Sequence, residues 1–151
     1  MNPTAVIERY LELIADPTAE LAAIDELLDP EMRFIERPNR VSPRGSERDR
    51  EQVLASVEQG RELLQEQRFD VVDHLVAGDT VATRVVWTGK LAVEAPPLAA
   101  GSRLRADSSM YFDFRDGRIL RQENYDCFHV QETGDAGEGG TRGTNPAAEG
   151  S

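Results

Sequence analysis

The last segment of the chain with strand-like alternation carries polar side chains at every second position. Gln122, Asn124 and Asp126 alternate there, and Phe128 follows at the next alternate position. Residues two apart on a strand share a face, so these groups would lie on one side of a sheet. In a sheltered site, the Asp126 carboxyl could act as general acid and base, with Asn124 orienting a substrate oxygen. The alternative is a structural carboxylate, held in an ion pair with Arg84 or capping a pocket rim.

Other reactive side chains give weaker signals. His74 and His129 have no further ligands at metal-binding spacing, so no metal site is expected. Cys127 would face away from Asp126 by alternation, and this indicates packing rather than a nucleophile. No glycine-rich phosphate loop follows a predicted strand, so no cofactor is expected.

Three arginines lie in or beside the predicted loop over residues 38–45, namely Arg37, Arg40 and Arg44. Guanidinium groups at a pocket mouth could steer an anionic ligand or pair with its carboxylate. Alternatively, these arginines neutralise nearby acidic groups. The adjoining run of acids and arginines over residues 47–51 indicates a solvated helix face.

Composition argues against several classes of partner. The chain has 17 basic and 28 acidic residues and a net charge of -11, which opposes binding to nucleic acid or to anionic lipid. No apolar stretch approaches the roughly 20 residues that span a bilayer, and residues 1–4 lack the order of a signal peptide. With Cys127 as the only cysteine, nothing indicates an oxidising compartment. We expect a cytoplasmic protein with no nucleic-acid or membrane partner.

Length and composition predict one domain over residues 1–130 and a disordered tail over residues 131–151. A chain of 151 residues is in the usual range for a single domain. The tail is acidic, holds half of the glycines and has no large apolar residue. Burial of such a segment cannot offset the entropy lost on ordering it.

Periodicity predicts three helices with one short strand among them, followed by four strands. The first helix starts at Asn2–Pro3 and ends before Asp16–Pro17. A second helix, capped by Thr18, would cover residues 21–28, and a third would begin at residues 46–49 and end near residue 66. The predicted strands cover residues 32–37, 69–76, 80–90, 102–115 and 118–128. Asp116–Gly117 joins the last two as a hairpin turn, and the whole order indicates an α+β domain.

With this order of elements the chain resembles the nuclear transport factor 2-like superfamily, and within it the SnoaL-like, polyketide cyclase-like proteins. The resemblance covers residues 4–128. It rests on the opening Thr4-Ala5-Val6-Ile7-Glu8-Arg9-Tyr10 and on Asp116-Gly117-Arg118-Ile119 leading into Asn124-Tyr125-Asp126-Cys127. It implies a cone-shaped α+β barrel in which three N-terminal helices pack in a strongly curved, mainly antiparallel sheet, with a hydrophobic pocket at the wide end.

The resemblance also implies a homodimer through the outer sheet face. The residues support this expectation independently, because the strand over residues 80–90 has apolar side chains on both faces. Helices can cover only one face of a single sheet, so a second subunit would cover the other.

The steroid isomerases of the superfamily use a helix-one tyrosine and two aspartates. Tyr10 matches the tyrosine, but Arg37 and Met110 stand at the two aspartate positions, which argues against enol chemistry by that route. Glu36 could serve as the base only if the strand slipped by one residue, since a slip inverts the facing of every side chain.

The limonene-epoxide hydrolases of the superfamily use an Asp-Arg-Asp array. Arg84 matches the arginine of that array, whereas Val86 and Asn124 stand where carboxylates are needed. Epoxide hydrolysis by this array is therefore disfavoured.

The resemblance and the alternation together predict a pocket and its residues. The predicted catalytic set is Asp126, Tyr10, Asn124 and Arg84. The predicted ligand-binding set is Phe34 or Ile35 with Arg37, Val86, Met110, Phe112, Gln122 and Phe128. For Tyr10, a core position with its hydroxyl bonded to a polar neighbour is the alternative.

The predicted function is a small-molecule pocket protein that carries out cyclase-like or isomerase-like acid–base catalysis on an apolar carbonyl compound. The alternative is a non-catalytic module that binds a ligand or dimerises. A raised pKa for Asp126 in a closed pocket would favour catalysis, and an exposed or ion-paired Asp126 would favour the alternative.

Overall fold

The computed structural model describes residues 2–129. Its elements, in chain order, are α1 (Pro3–Ala15), α2 (Leu21–Asp25), β1 (Leu28–Glu36), β2 (Ser46–Asp49), α3 (Arg50–Leu63), β3 (Leu64–Ala77), β4 (Thr80–Leu91), β5 (Arg103–Arg115) and β6 (Arg118–Phe128). The predicted disordered tail over residues 131–151 lies outside the described residues. None of the helices described is long and apolar enough to cross a membrane.

All six strands form one sheet in the order β2-β1-β6-β5-β4-β3. Neighbouring strands run antiparallel except β1 and β6, which are parallel. The prediction of an α+β fold with a mainly antiparallel sheet is confirmed. We call the sheet face that packs against the helices the inner face and the opposite face the outer face.

Helix α1 forms where the sequence predicts it. The Asn2 side chain accepts a hydrogen bond from the Ala5 backbone N–H at 2.9 Å, and Pro3 occupies the first turn, where its missing N–H costs nothing. The helix buries one face against the sheet, with Val6, Ile7, Tyr10, Leu11 and Leu13 in the core. This burial packs α1 against the inner face of the sheet.

Helix α2 is shorter than predicted, and β1 begins earlier. Thr18 does not cap α2, because its hydroxyl and backbone N–H both bond to the Asp16 carboxylate in a turn. The chain becomes extended at Leu28, which is fully buried and pairs with Ile119 of β6. Pro30 lies where the β1–β6 pairing is irregular, so its missing N–H breaks no ladder bond.

The segment predicted to start the third helix is instead strand β2. Ser46 to Asp49 pair with β1, and α3 begins at Arg50. Asp49 is the N-cap: its carboxylate accepts from the Gln52 N–H, while the Gln52 side chain accepts from the Asp49 N–H. The helix ends at Leu63, so β3 starts five residues before the predicted strand.

The β5–β6 hairpin follows the prediction. Asp116 and Gly117 both have left-handed backbones, with φ of 53° and 78°. A two-residue turn with positive φ at both positions matches the twist of its flanking strands, and Asp-Gly tolerates it best. The turn sets the β5–β6 register, in which Met110 is opposite Asn124 and Ser108 is opposite Asp126.

One close contact on β4 yields a test of the inner face. The indole of Trp87 lies over Gly89, where an added Cβ would be 2.8 Å from the ring. Gln67 accepts a hydrogen bond from the indole N–H at 3.0 Å, and Phe128 packs edge-to-face on the ring. The indole therefore has little freedom to yield.

We predict that Gly89→Ala displaces the indole and destabilises the fold by about 1–3 kcal/mol, the usual cost of overpacking. Trp87 is the only tryptophan, so a change in its fluorescence maximum in the folded protein reports the displacement directly. Denaturant unfolding measures the stability. Gly60→Ala is the control: its added Cβ meets nothing within 4 Å, and alanine favours the helix by up to about 1 kcal/mol. Unchanged emission and stability in Gly89→Ala would contradict the packing described.

Candidate functional site

A cavity of about 160 Å³ lies between α1, α3 and the inner face of the sheet. Most of its lining is apolar: Leu11, Ile14, Phe34, Val53, Val57, Phe69 and Met110, with Gly60 contributing no side chain. The polar lining residues are Tyr10, Arg48, Ser56, Gln67, Gln122 and Asn124. An apolar cavity with a few polar groups is the usual form of a small-molecule site.

A buried hydrogen-bond chain runs along the sheet side of the cavity. The Tyr10 hydroxyl donates to Gln122 Oε1 at 2.7 Å, and Gln122 Nε2 donates to Asn124 Oδ1 at 3.0 Å. Burial raises the pKa of the Tyr10 hydroxyl well above its usual value, with Arg48 acting weakly in the opposite direction. Tyr10 is therefore a neutral donor that holds the Gln122 amide, and Gln122 in turn holds the Asn124 amide.

Asp126 occupies the next inner position of β6 beyond Asn124. Ser108 donates its hydroxyl proton to Asp126 Oδ1 at 2.5 Å. Burial raises the pKa of the Asp126 carboxyl and the charge of Glu36 adds to the rise, while the Ser108 and Asn124 side chains oppose it. Among residues 2–129 no cationic side chain pairs with Asp126. This carboxyl can therefore hold a proton nearer to neutral pH than an ordinary aspartate.

Glu36 and Arg48 also lie on this side of the sheet. Glu36 was expected here only if the strand slipped by one residue, and Arg48 was missed by the sequence analysis. In the observed register Phe34 is opposite Gln122 and Glu36 is opposite Asn124, while Arg48 of β2 is opposite Phe34. Glu36 was expected to face away, and Arg48 was expected on a solvated helix face.

The buried Met32 followed by Phe34 at the next alternate position is the sequence signal that could have placed Glu36 on the inner face. The Asp49–Gln52 capping box could have shown that Arg48 precedes the helix.

Several predicted site residues do lie at the cavity. Tyr10, Phe34, Met110, Gln122 and Asn124 line it. Phe112 is fully buried beneath it and packs edge-to-face on Tyr10, so it belongs to the core. Asp126 and Phe128 share the inner face but lie further along β6 and are not part of the lining.

The placement of Arg84 and Val86 in the pocket is corrected. Val81, Thr83 and Val85 are the inner, buried residues of β4, so alternation puts Arg84 and Val86 on the outer face. There Arg84 forms a two-pronged bond to Asp73, at 2.9 Å and 2.5 Å. Neither the predicted catalytic role of Arg84 nor its predicted ion pair with Asp126 is compatible with this position.

Ile35 and Arg37 are on the outer face as well. Of the two predicted ligand-binding alternatives, Phe34 and Ile35, Phe34 is the one that lines the cavity. Arg37 forms an ion pair with Glu123 and lies over the Tyr125 ring, 5.9 Å from its centroid. Arg40 and Arg44 are exposed and do not line the cavity. The loop arginines therefore do not form the expected anion site.

Comparison with known proteins adds a family match and several structural matches. A family model described as a SnoaL-like domain matches residues 7–122. Wild-type IdmH, a candidate polyketide cyclase from Streptomyces antibioticus, superposes with a TM-score of 0.70 at 24% identity, covering 83% of this chain and 92% of IdmH. No curated protein sequence matches the chain.

Two further solved structures resemble the chain. AclR, a candidate hydroxylase from Streptomyces galilaeus, has a TM-score of 0.66 at 15% identity and covers 82% of this chain and 77% of its own. A Catenulispora acidiphila protein with a ketosteroid isomerase-like fold, solved with trimethylamine, has a TM-score of 0.65 at 14% identity, with coverages of 83% and 86%. Likeness at these identities establishes a shared fold.

The raised pKa of Asp126 predicts a pH-dependent stability difference. The folded protein holds this proton more tightly than the unfolded chain, so stability is lost as the pH rises from the unfolded pKa through the folded pKa, and the loss is complete above the folded pKa. The amide introduced by Asp126→Asn stays uncharged at every pH and can still accept from Ser108. We therefore expect Asp126→Asn to be more stable than the wild type at pH 7.5, with the advantage shrinking toward pH 4 in denaturant unfolding.

Asp107→Asn is the matched control on the outer face. The hydrogen bond from His129 lowers the pKa of Asp107, so this substitution should lose stability at pH 7.5 rather than gain it. Equal and pH-independent effects of the two substitutions would contradict the environment described for Asp126.

Proposed function

The chain belongs to the SnoaL-like domain family, and on that basis we propose that it is a small-molecule pocket protein that catalyses proton transfer on an apolar carbonyl compound. The observation that carries this proposal is the Asp126 carboxyl: it is partly buried, raised in pKa, without a cationic partner among residues 2–129, and next to the polar side of an apolar cavity. Groups of this kind are the usual general acids and bases of enzyme sites.

The arrangement supports a simple proton-transfer cycle. Ionised Asp126 removes a proton from the carbon beside a carbonyl, which leaves an enolate on the substrate and a neutral Asp126. The Asn124 amide lies where it can hydrogen-bond the carbonyl oxygen and favour the enolate. Asp126 then returns the proton to another atom of the substrate, which completes an isomerisation, or to an oxygen that becomes negative in a ring closure. Tyr10 and Gln122 act as positioning residues for Asn124.

An exchange assay tests this proposal without knowledge of the natural substrate. Cyclohexanone is a single-ring carbonyl compound suited to a cavity of this size. In deuterated buffer, we expect the wild type to accelerate exchange of its α-protons, measured by loss of the proton signals in NMR. Asp126→Asn should reduce the acceleration by about 100-fold or more, because general-base catalysis typically contributes that much.

The control for the exchange assay is Asp107→Asn, which removes a carboxyl from the outer face and should exchange like the wild type. Binding of cyclohexanone is followed in parallel by ligand-observed NMR. Binding without accelerated exchange would overturn the catalytic proposal and leave a non-catalytic ligand-binding module.

We also propose a homodimer through the outer face of the sheet. Tyr111 and Tyr125 are 44% and 46% exposed there, and their rings meet edge-to-face at 6.0 Å. A groove beside them is lined by Ser109 and Glu123 as well, and Arg37 pairs with Glu123. We call this area the tyrosine patch. Exposed aromatic rings are enriched at protein–protein interfaces relative to the rest of the surface.

Tyr125→Glu tests the dimer. Sedimentation velocity at micromolar concentration should give twice the 16.7 kDa chain mass for the wild type and the single mass for Tyr125→Glu. A buried charge without a partner accounts for the expected loss. Leu63→Glu, at an exposed apolar position on α3, is the control and should stay dimeric. A monomeric wild type would contradict the proposal.

A cytoplasmic location completes the proposal. It is supported by the single cysteine, which cannot form an intrachain disulfide.

A further inference from the structure

Within residues 2–129, Arg48 is the one cationic side chain that lines the cavity. Its guanidinium lies over the Phe34 ring, 5.3 Å from the centroid, and its Nη2 is 3.4 Å from Glu36 Oε1. This cation–π contact with Phe34 holds the guanidinium beside the cavity. Its positive charge acts to lower the pKa of the Tyr10 hydroxyl, and Tyr10 also lines the cavity.

Most of the hydrogen-bonding capacity of Arg48 is unused within the described residues. A guanidinium has five N–H donors, and the long Glu36 contact engages one of its nitrogens. Glu36 does not depend on Arg48, because it also accepts from the Ser46 hydroxyl and the Asn39 amide, each at 3.0 Å. Arg48 can therefore accept a second carboxylate as a ligand while it keeps its contact with Glu36.

The cavity limits the size of that ligand. Its volume of about 160 Å³ is close to that of an apolar cavity of about 150 Å³ known to hold benzene. Gly60 faces this space without a side chain, and a Cβ added there meets nothing within 4 Å. The inner volume fits one six-membered ring, and a fused ring system would have to extend out through the open mouth of the cavity.

We propose that the substrate is a single-ring keto acid: its carboxylate binds Arg48, its ring fills the apolar cavity, and its carbonyl lies toward Asn124 and Asp126. This assignment rests on the proposed function for the carbonyl end and on Arg48 alone for the carboxylate end. Glu36 already balances part of the charge of Arg48. The substrate carboxylate is therefore held mainly by two parallel hydrogen bonds to the guanidinium, and long-range charge attraction contributes less.

Binding of benzoate and benzamide tests the carboxylate end independently of catalysis. The two probes have the same ring and differ in charge. By NMR titration the wild type should prefer benzoate, and Arg48→Gln should reduce that preference by about 10- to 100-fold, as expected for charge-assisted hydrogen bonds. Arg33→Gln removes an arginine that pairs with Glu47 on the opposite face of β1 and should leave both affinities unchanged. An unchanged preference in Arg48→Gln would overturn the assignment.

Two further variants guard against a merely structural effect. Arg48→Lys keeps the charge but loses the planar fork, so it should retain part of the preference. Gly60→Leu adds a side chain facing the cavity and should weaken benzoate and benzamide together without changing their ratio. Circular dichroism confirms that each variant is folded. The wild type should bind 2-naphthoate more weakly than benzoate, and equally tight binding of the two would overturn the single-ring assignment.

The exchange assay separates failure of this inference from failure of the proposed function. We expect 4-oxocyclohexanecarboxylate to be exchanged with a lower KM than cyclohexanone, and Arg48→Gln to reduce that KM advantage by about tenfold or more. Arg48-dependent benzoate binding with no exchange of either ketone would overturn the catalytic role of Asp126 and leave an acid-binding site. Exchange of both ketones with equal KM would overturn the keto acid and leave the catalytic role intact.

Discussion

The parallel pairing of β1 with β6 is the contact on which the site depends. Its register sets Phe34 beside Gln122 and Glu36 beside Asn124, and the antiparallel pairing of β2 then sets Arg48 beside Phe34. A shift of one residue would turn all these side chains to the outer face, because side chains alternate along a strand. The buried side chains of Leu28 and Met32, under the helices, hold the register.

The polar groups of the inner face are costly to bury, and their hydrogen bonds offset the cost. Tyr10, Gln122 and Asn124 satisfy one another in a chain, so their burial leaves the cavity wall rigid. Asp126 differs from them because the Ser108 and Asn124 side chains do not cancel the effect of burial on the pKa of its carboxyl. A group that is partly desolvated and only partly compensated has a perturbed pKa, and this is the physical basis for assigning chemistry to it.

The two faces of the sheet distribute charge differently. The outer face holds ion pairs such as Arg84–Asp73 and Arg37–Glu123, which satisfy charges on a surface that water can reach. The exposed Arg84–Asp73 pair is of a kind worth about 0–1 kcal/mol to the fold. On the inner face, Arg48 lines the apolar cavity, and the charge of Glu36 contributes to the raised pKa of Asp126.

Some features depend only on residues close together in the chain, and these could be predicted from the sequence. The Asn2–Pro3 start of α1, the Asp116–Gly117 hairpin and the alternation of Gln122, Asn124 and Asp126 all depend on neighbours close in the chain, and the structure has each of them. The bounds of β4, β5 and β6 were also within a residue of the prediction. The residues that carry the family resemblance lie in α1 and in the β5–β6 hairpin. The α+β fold could therefore be predicted from the same segments.

Only the tertiary structure decided which face of each strand is covered. Alternation divides β4 into two sets, but both sets contain apolar residues, so the sequence could not show that Val85 faces the helices and Arg84 faces away. The family resemblance put Arg37 in the pocket in place of Glu36, and the predicted helix start at residues 46–49 put Arg48 on a helix that begins two residues later in the structure. Facing is determined by packing between elements that are distant in the chain, and a period of two contains no information about which side the helices occupy.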